Sequence, residues 1–287
     1  MKIPLKILVL GSTGMLGHQV VNYLDKFEDL RIFNFSYKNK LNNETVIVDA
    51  MDQALLEEQI ISIKPDYIVN CIGVLVEGSK DINRAKYLNA FLPNELKKIC
   101  KKINAKLIHI STDCVFSGAI GSYKENDLRD GKGTYAKTKI SGEIIDGQNL
   151  TIRTSIIGPE LKSNGEGLFE WFMNQTNEVH GYKNAIWSGV TTLELSKAIR
   201  WAIKKNIVGI YHITNNRVIN KYDLLNLFKK YTEKNIRIIP FDNKRVDKSF
   251  IDTRCLIDYV IPSYEEMIES MVEEIKINKS LYSRYNI

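Results

Sequence analysis

The sequence contains no apolar run approaching the roughly 18 residues that a membrane-crossing helix needs, no internal repeat and no low-complexity linker. Its opening, MKIPLKILVLGSTG, has an apolar stretch that is short and leads into glycines without a small-residue cleavage site, so it reads as a buried strand and not as a secretion signal. The four cysteines, Cys71, Cys100, Cys114 and Cys255, lie far apart and form no CxxC or Cys/His pattern. That spacing excludes a zinc site or a disulfide framework and fits reduced thiols, hence a cytoplasmic chain with no membrane partner. His18, His109, His180 and His212 show no HExxH or paired ligand spacing, so no metal is expected and they read as core or surface residues. There is no basic tract either. The net charge of +6 comes from scattered lysines, of which Lys97, Lys98, Lys101 and Lys102 resemble a solvated helix face. Nucleic acid is therefore not an expected partner, although the mild positive bias favours the approach of an anionic small molecule.

What is present is enough apolar material, 44% of 287 residues, for a large core. Short β-branched runs at Lys6–Leu10, Arg31–Phe35, Thr45–Val48, Tyr67–Cys71, Lys106–Ile110, Leu150–Arg153 and Gly209–Ile213 alternate with helical patterns at Gly14–Lys26, Met51–Lys64, Asp81–Ile103 and Tyr135–Asp146. Alternation of this kind is the sequence form of an α/β fold with a doubly wound parallel sheet, the Rossmann arrangement. The second half is less regular, with helices expected at Gly165–Gln175, Leu193–Lys204 and Tyr222–Thr232 and a strand at Ile236–Pro240. A smaller C-terminal lobe interleaved with the main domain is the expected result. Trp171 and Phe172 fall at helical spacing with Leu168, which points to packing.

Gly11-Ser12-Thr13-Gly14-Met15-Leu16-Gly17 follows the first strand and opens a helix containing Val20, Val21 and Leu24. Glycines suit a tight turn whose backbone approaches a pyrophosphate, and the helix start offers N–H groups to the anion. At the end of the second strand, an acid would hydrogen-bond the adenosine ribose of NAD, whereas basic or hydroxyl residues would accommodate the extra phosphate of NADP. Asn34-Phe35-Ser36-Tyr37-Lys38-Asn39-Lys40 has no acid. NADP(H) is favoured over NAD(H), with Ser36 and Lys38 as contacts. Asp49 and Ala50 follow the third strand, where the carboxylate is placed either to accept from the adenine amino group or to cap the next helix.

LIHISTDCVFSG puts Ser111, Thr112 and Asp113 at the carboxyl edge of a buried strand, where doubly wound sheets hold ligands. Downstream, Tyr135 and Lys139 are four residues apart, so on a helix they share a face. A nearby ammonium is expected to stabilise phenolate and lower the tyrosine pKa, making Tyr135 a proton donor to a ketone that accepts hydride, with Thr112 bonded to the same oxygen.

The segments GSTGMLG, KPDYIVNCIG, ISTDCVFSG, YAKTKISGE and IRTSIIG occur in the order found in extended short-chain dehydrogenases, and the chain resembles the dTDP-4-dehydrorhamnose reductase-like family among them. The resemblance covers the first 160 residues or so, then continues weakly through Ser188-Gly189-Val190-Thr191-Thr192 and Asp247–Thr253. It implies that Thr112, Tyr135 and Lys139 are catalytic and that Lys139 also holds the nicotinamide ribose. It further implies that Cys71, Ile72 and Gly73 line the cofactor, that Asn89 lies near the active site on the cofactor side, and that the reaction reduces the 4-keto group of a nucleotide-diphospho-6-deoxyhexose for surface polysaccharide synthesis. Val74, Asp113, Cys114, Ile156 and the loop residue Trp187 are then placed at the substrate. Relatives usually carry Tyr at Cys114, Asp at Ser117 and Trp at Ile156. Loss of aromatics near the sugar changes its shape and stacking, so a UDP-N-acetyl-4-keto sugar stands beside dTDP-4-dehydrorhamnose.

Residues 1–158 are accordingly read as the NADP(H)-binding domain and 159–287 as mostly a substrate lobe, with some segments returning to the main domain and a homodimer left open. Two alternatives stay open. An epimerase or dehydratase would retain NAD, although many dehydratases carry Glu where Cys114 follows Asp113. A non-catalytic NADP-binding regulatory protein would have less use for an intact Thr112, Tyr135 and Lys139 set.

Overall fold

The computed structural model describes residues 3–243, 245–254 and 258–287; Cys255 lies outside them. Seven strands, β1 (Leu5–Leu10), β2 (Leu30–Ser36), β3 (Val46–Ile47), β4 (Tyr67–Asn70), β5 (Lys106–Thr112), β6 (Leu150–Thr154) and β7 (Gly209–His212), form one sheet in the order β7-β6-β5-β4-β1-β2-β3. Every pairing in it is parallel. The chain therefore winds outward from β1 to β3 and then returns from β4 to β7, leaving a crevice beyond the carboxyl ends of β1 and β4. Alternation along β1 divides the core: Ile7 and Val9 join one apolar cluster while Leu8 and Leu10 join the other. All four are completely buried, as expected of a sheet covered on both faces.

Helices α1 (Gly17–Leu24), α2 (Gln53–Ile63), α3 (Ile82–Lys86), α4 (Leu92–Ile103), α5 (Gly133–Gly142), α6 (Leu168–Met173), α7 (Thr192–Lys205), α8 (Lys221–Thr232) and α9 (Tyr264–Ile277) supply the layers. Val20, Val21 and Leu24 of α1, Ile199 and Ala202 of α7 and Met267, Ile268 and Met271 of α9 cover one face, while Leu56 and Ile60 of α2 and Leu92, Leu96 and Ile99 of α4 cover the other. Short pairings outside the main sheet join Ile156–Ile157 to Val190–Thr191, Glu178–Tyr182 to Arg237–Phe241, and Ala185–Trp187 to both Ile219–Asn220 and Val246–Asp247.

Several boundaries differ from the sequence expectation for identifiable reasons. The first helix begins at Gly17, because Gly14 to Leu16 form the turn before it. The expected helix 81–103 contains a π turn at Tyr87–Phe91, which carries Asn89. Helix α5 stops at Gly142 instead of Asp146, because Glu143 turns to an extended conformation and meets Arg153. Gly165 and Gly167 do not start α6, since they wrap around Glu160; a Cβ on either would lie 2.3 or 2.7 Å from its carboxyl atoms. Helix α9 was not anticipated, although Ser263 and Glu266 form a reciprocal capping box ahead of buried Met267, Ile268, Met271 and Val272.

Below the sheet's catalytic end lies a buried ionic cluster. Arg153 donates to both Glu143 carboxylate oxygens at 2.7 and 2.8 Å, and to the Glu125 carbonyl at 2.9 Å. Ser111 and Arg129 donate to the same Glu143 carboxylate at 2.7 and 2.9 Å. The Arg153 side chain is 2% exposed and that of Glu143 not at all, so removing one partner strands a charge out of reach of water. Replacing Arg153→Met is expected to cost about 3–5 kcal/mol in urea unfolding; a loss below about 1 kcal/mol would show that the pair is dispensable.

Candidate active site

The crevice holds two connected cavities of about 200 and 520 Å³, sharing Thr13, Gly14, Cys71, Ile72, Gly73 and Lys162 as walls. Gly11, at φ +79°, makes the turn from β1, and a Cβ there would press on Ile72 at 3.1 Å. Gly17 is packed tighter still, because a Cβ would lie 2.1 Å from the Gly11 carbonyl. Thr13, Gly14, Met15 and Leu16 line the cavities. Among the described residues, the N–H groups of Thr13, Met15 and Leu16 make no hydrogen bond within the chain. Unpaired donors at the start of α1, on a backbone cleared of side chains, fit a dinucleotide pyrophosphate.

The smaller cavity is walled by Leu10, Phe35, Ser36, Tyr37, Val48, Asp49, Ala50, Val74 and Leu88, with Arg84 at its rim. Three expectations change here. The Ser36 hydroxyl donates to the Asn39 carbonyl, so its proton is turned away from the cavity. Lys38 does not form the wall; its ammonium lies 4.9 Å from the Tyr37 ring centroid. Val74, expected beside the substrate, stands on the adenosine side. Asp49 lines this cavity and accepts from the Met51 N–H at 3.0 Å, but it does not cap the next helix, because Asp52 does so by accepting from the Leu55 N–H at 3.1 Å.

Asn89 supports the groove from behind instead of lining it. Its side chain is fully buried, accepts from Val74 N at 2.8 Å, and donates to Val74 O at 3.0 Å and Thr138 Oγ1 at 3.2 Å. It thus ties the segment that follows β4 to the helix carrying Lys139. Burial pushes the Cys71 thiol up to about 12, so this wall is neutral at physiological pH.

Thr112, Tyr135 and Lys139 all line the larger cavity, together with Cys114, Ser155 and Ile156. Helix α5 brings Tyr135 and Lys139 to the end of β5, which carries Thr112, so that all three side chains face one cavity. Lys139, 4% exposed, donates to the Ile110 carbonyl at 2.7 Å. The expected lowering of the tyrosine pKa is not what this arrangement produces. Burial raises the Tyr135 phenol above its ordinary value, aided by the charges of Cys114 and Asp113 and opposed by the neighbouring Thr112 side chain. Burial likewise lowers Lys139 to about 8, with Glu143 opposing.

Trp187 does not reach the cavity. It is 4% exposed, packs against Tyr264, and donates from Nε1 to Ser155 Oγ at 2.7 Å, so it acts on the wall through Ser155. Asp113 accepts from the Thr112 hydroxyl at 3.0 Å, and burial raises its carboxyl pKa against the nearby charges of Lys248 and Lys221. Lys248 also donates to Cys114 Sγ at 3.4 Å. Arg84, Ser155, Glu160, Lys162 and Lys248 were missed as site residues by sequence reasoning. Lys248 falls in the weakly matching segment 247–253; the others carry no local signal.

Sheet order, glycine turn and the Thr112, Tyr135 and Lys139 arrangement define a short-chain dehydrogenase of the extended type. The family model described as RmlD substrate binding domain matches residues 5–276, and the chain belongs to that family. Over 236 residues it is 25% identical to methionine adenosyltransferase 2 subunit beta of Xenopus laevis, covering 76% of this chain and 70% of that protein. Over 225 residues it is 25% identical to spore coat polysaccharide biosynthesis protein SpsK of Bacillus subtilis, covering 76% of each. Among solved structures, dTDP-4-dehydrorhamnose reductase from Bacillus anthracis in complex with NADP matches with a TM-score of 0.82 at 20% identity, over 95% of this chain and 100% of that one.

The lysine makes a pH-dependent prediction. Between about 8 and the ordinary 10.5, the unfolded chain keeps a proton on Lys139 that the folded chain has released. The stability contribution of this position is therefore lowest below pH 8 and rises as pH climbs through that window. Lys139→Met should raise the urea midpoint at pH 7, and the gain should shrink by pH 10. A variant less stable than the parent at pH 7 would show that the Ile110 bond outweighs desolvation.

Proposed function

We propose that the chain is an NADPH-dependent reductase of the 4-keto group of a nucleotide-diphospho-6-deoxyhexose. Residues 1–158 hold the dinucleotide, and the lobe built mostly from 159–287 holds the sugar nucleotide. The observation that carries this reading is that Thr112, Tyr135 and Lys139 share one cavity with the unpaired donors of the glycine turn. Family membership and the NADP-bound reductase of similar fold support it. Among the described residues Cys71, Cys100 and Cys114 are unpaired, which fits the cytoplasmic setting proposed for the chain.

NADPH bound in the groove would supply the hydride that C4 accepts. The chain's part is to hold the ketone and deliver a proton to its oxygen. Tyr135, kept protonated by burial, donates that proton, and Thr112 orients the hydroxyl. Lys139, fixed by the Ile110 carbonyl, places a positive charge on the floor where the ribose of the cofactor would lie. Thr13, Met15 and Leu16 offer their N–H groups to the pyrophosphate. Cys114 and Ile156 form the sugar-side wall, with no aromatic platform at either position; this supports a UDP-N-acetyl-4-keto sugar as an alternative to dTDP-4-dehydrorhamnose.

A second reading comes from the likeness to methionine adenosyltransferase 2 subunit beta, which is named as a subunit and not as a reductase. On that reading the groove would bind dinucleotide without turnover. Following NADPH and NADH absorbance with dTDP-, UDP- and GDP-4-keto-6-deoxyhexoses separates the two: oxidation by one of them is expected, and none with any of them would overturn the reductase. Tyr135→Phe should lower turnover by about 10²–10⁴ while fluorescence titration shows NADPH binding retained. Undiminished turnover would assign the proton to another group.

A further inference from the structure

We infer that Arg84, assisted by Lys38, reads the 2′-phosphate of the dinucleotide and sets the preference for NADP over NAD; this rests on the groove being the dinucleotide site proposed above. Arg84 comes from α3, far in sequence from the end of β2 where cofactor choice is ordinarily sought. The fold brings it to the rim of the adenosine-side cavity, beside Ser36, Tyr37 and Asp49. Its guanidinium carbon lies 5.5 Å from the Tyr37 ring centroid, and the Lys38 ammonium lies 4.9 Å from the same centroid. Two cations therefore converge on one aromatic ring at the mouth of the cavity.

Their other partners are weak. Among the described residues neither Arg84 nor Lys38 forms an ion pair with a carboxylate. The guanidinium donates to Met51 Sδ at 3.8 Å, and a thioether is a poor acceptor. Asp49, the acid in this cavity, is engaged by the Met51 N–H at 3.0 Å, and the Ser36 hydroxyl donates its hydrogen bond to the Asn39 carbonyl. The backbone beneath Arg84 is fixed, because its N–H donates to Asp81 Oδ1 at 3.0 Å in the cap of α3. What the site offers is a planar, permanently charged fork with a second ammonium nearby. That donor set matches a phosphate dianion, to which an arginine can donate two parallel hydrogen bonds. A ribose hydroxyl in the same place offers these two cations no anionic partner.

The test uses the whole chain without any sugar. NADP⁺, NAD⁺, adenosine 2′,5′-bisphosphate and AMP are titrated calorimetrically into the parent, Arg84→Ala, Arg84→Lys and Lys38→Ala. Charge-assisted bonds of this type correspond to about 10–100-fold in affinity. Arg84→Ala should therefore weaken NADP⁺ and the bisphosphate to that extent, leaving NAD⁺ and AMP unchanged. Arg84→Lys should recover part of the loss, and Lys38→Ala should show a smaller loss of the same selectivity. Equal weakening of all four ligands by Arg84→Ala would overturn the inference, because Arg84 would then merely prop the cavity wall, and so would unchanged NADP⁺ affinity. Failure of the parent to bind either dinucleotide would overturn the groove assignment as well. Absence of ketosugar turnover would leave this result standing, since no sugar enters the titration.

Discussion

The bidentate contact between Arg153 and Glu143 fixes the three pieces of the catalytic end relative to one another. Arg153 stands on β6, Glu143 follows the last residue of α5, and Ser111, which bonds the same carboxylate, precedes Thr112 at the end of β5. Placing two charges out of water is costly, and the cost is offset only where geometry is good and the remaining donors are satisfied. Here Arg153 also donates to Glu125 O, its guanidinium carbon lies 5.4 Å from the Phe116 ring centroid, and Arg129 gives Glu143 a second cation. The network holds Glu143 below its ordinary pKa even though burial pushes it the other way. Glu125 extends the same cluster to Thr253 and to the His212 backbone, so the segment beyond Lys248 is tied to it too.

With the frame fixed, desolvation decides the state of the reacting groups. Burial drives both toward neutrality, raising Tyr135 and lowering Lys139. A protonated phenol is the state a ketone reduction consumes, so a site that keeps Tyr135 uncharged is loaded in the right sense before the ketone is reduced. The groove is held from below by the end of the chain. Tyr282 bonds His18 and Gln19 at the start of α1, and Tyr285 bonds Glu160 and Glu170, while Arg284 bonds Glu170. Burial lowers His18 to about 4, leaving a neutral imidazole that links Gly14 O to Tyr282.

What the sequence disclosed was governed by local chemistry. The seven sheet strands were legible because β-branched runs repeat between helical patterns, and the glycine turn because its spacing is contiguous. Tyr135 and Lys139 needed only the period of a helix. Arg84 was not legible because its role depends on α3 crossing near Tyr37, a contact between elements. Trp187 was misplaced for a related reason: its loop position suggested access, whereas α9, unread from the sequence, supplies the Tyr264 that covers it. The sequence places Ser36 and Lys38 at the end of β2, but not the turn that directs the Ser36 hydroxyl to the Asn39 carbonyl and the Lys38 ammonium over Tyr37.

The same architecture is shared by proteins with different names, so the fold alone does not select among them. Discrimination has to come from side chains on the cleft. A protein that only binds dinucleotide needs the glycine turn, an adenosine pocket and a cation such as Lys139 for the ribose; it gains nothing from a phenol that burial keeps protonated in the same cavity. Nor does it need Thr112 on the same cavity wall as that phenol. Keeping Lys139 charged at neutral pH opposes desolvation, and stability would be served by an apolar residue there. The presence of Tyr135, kept protonated by burial in the same cavity as Thr112 and Lys139, is the physical argument for catalysis over mere binding.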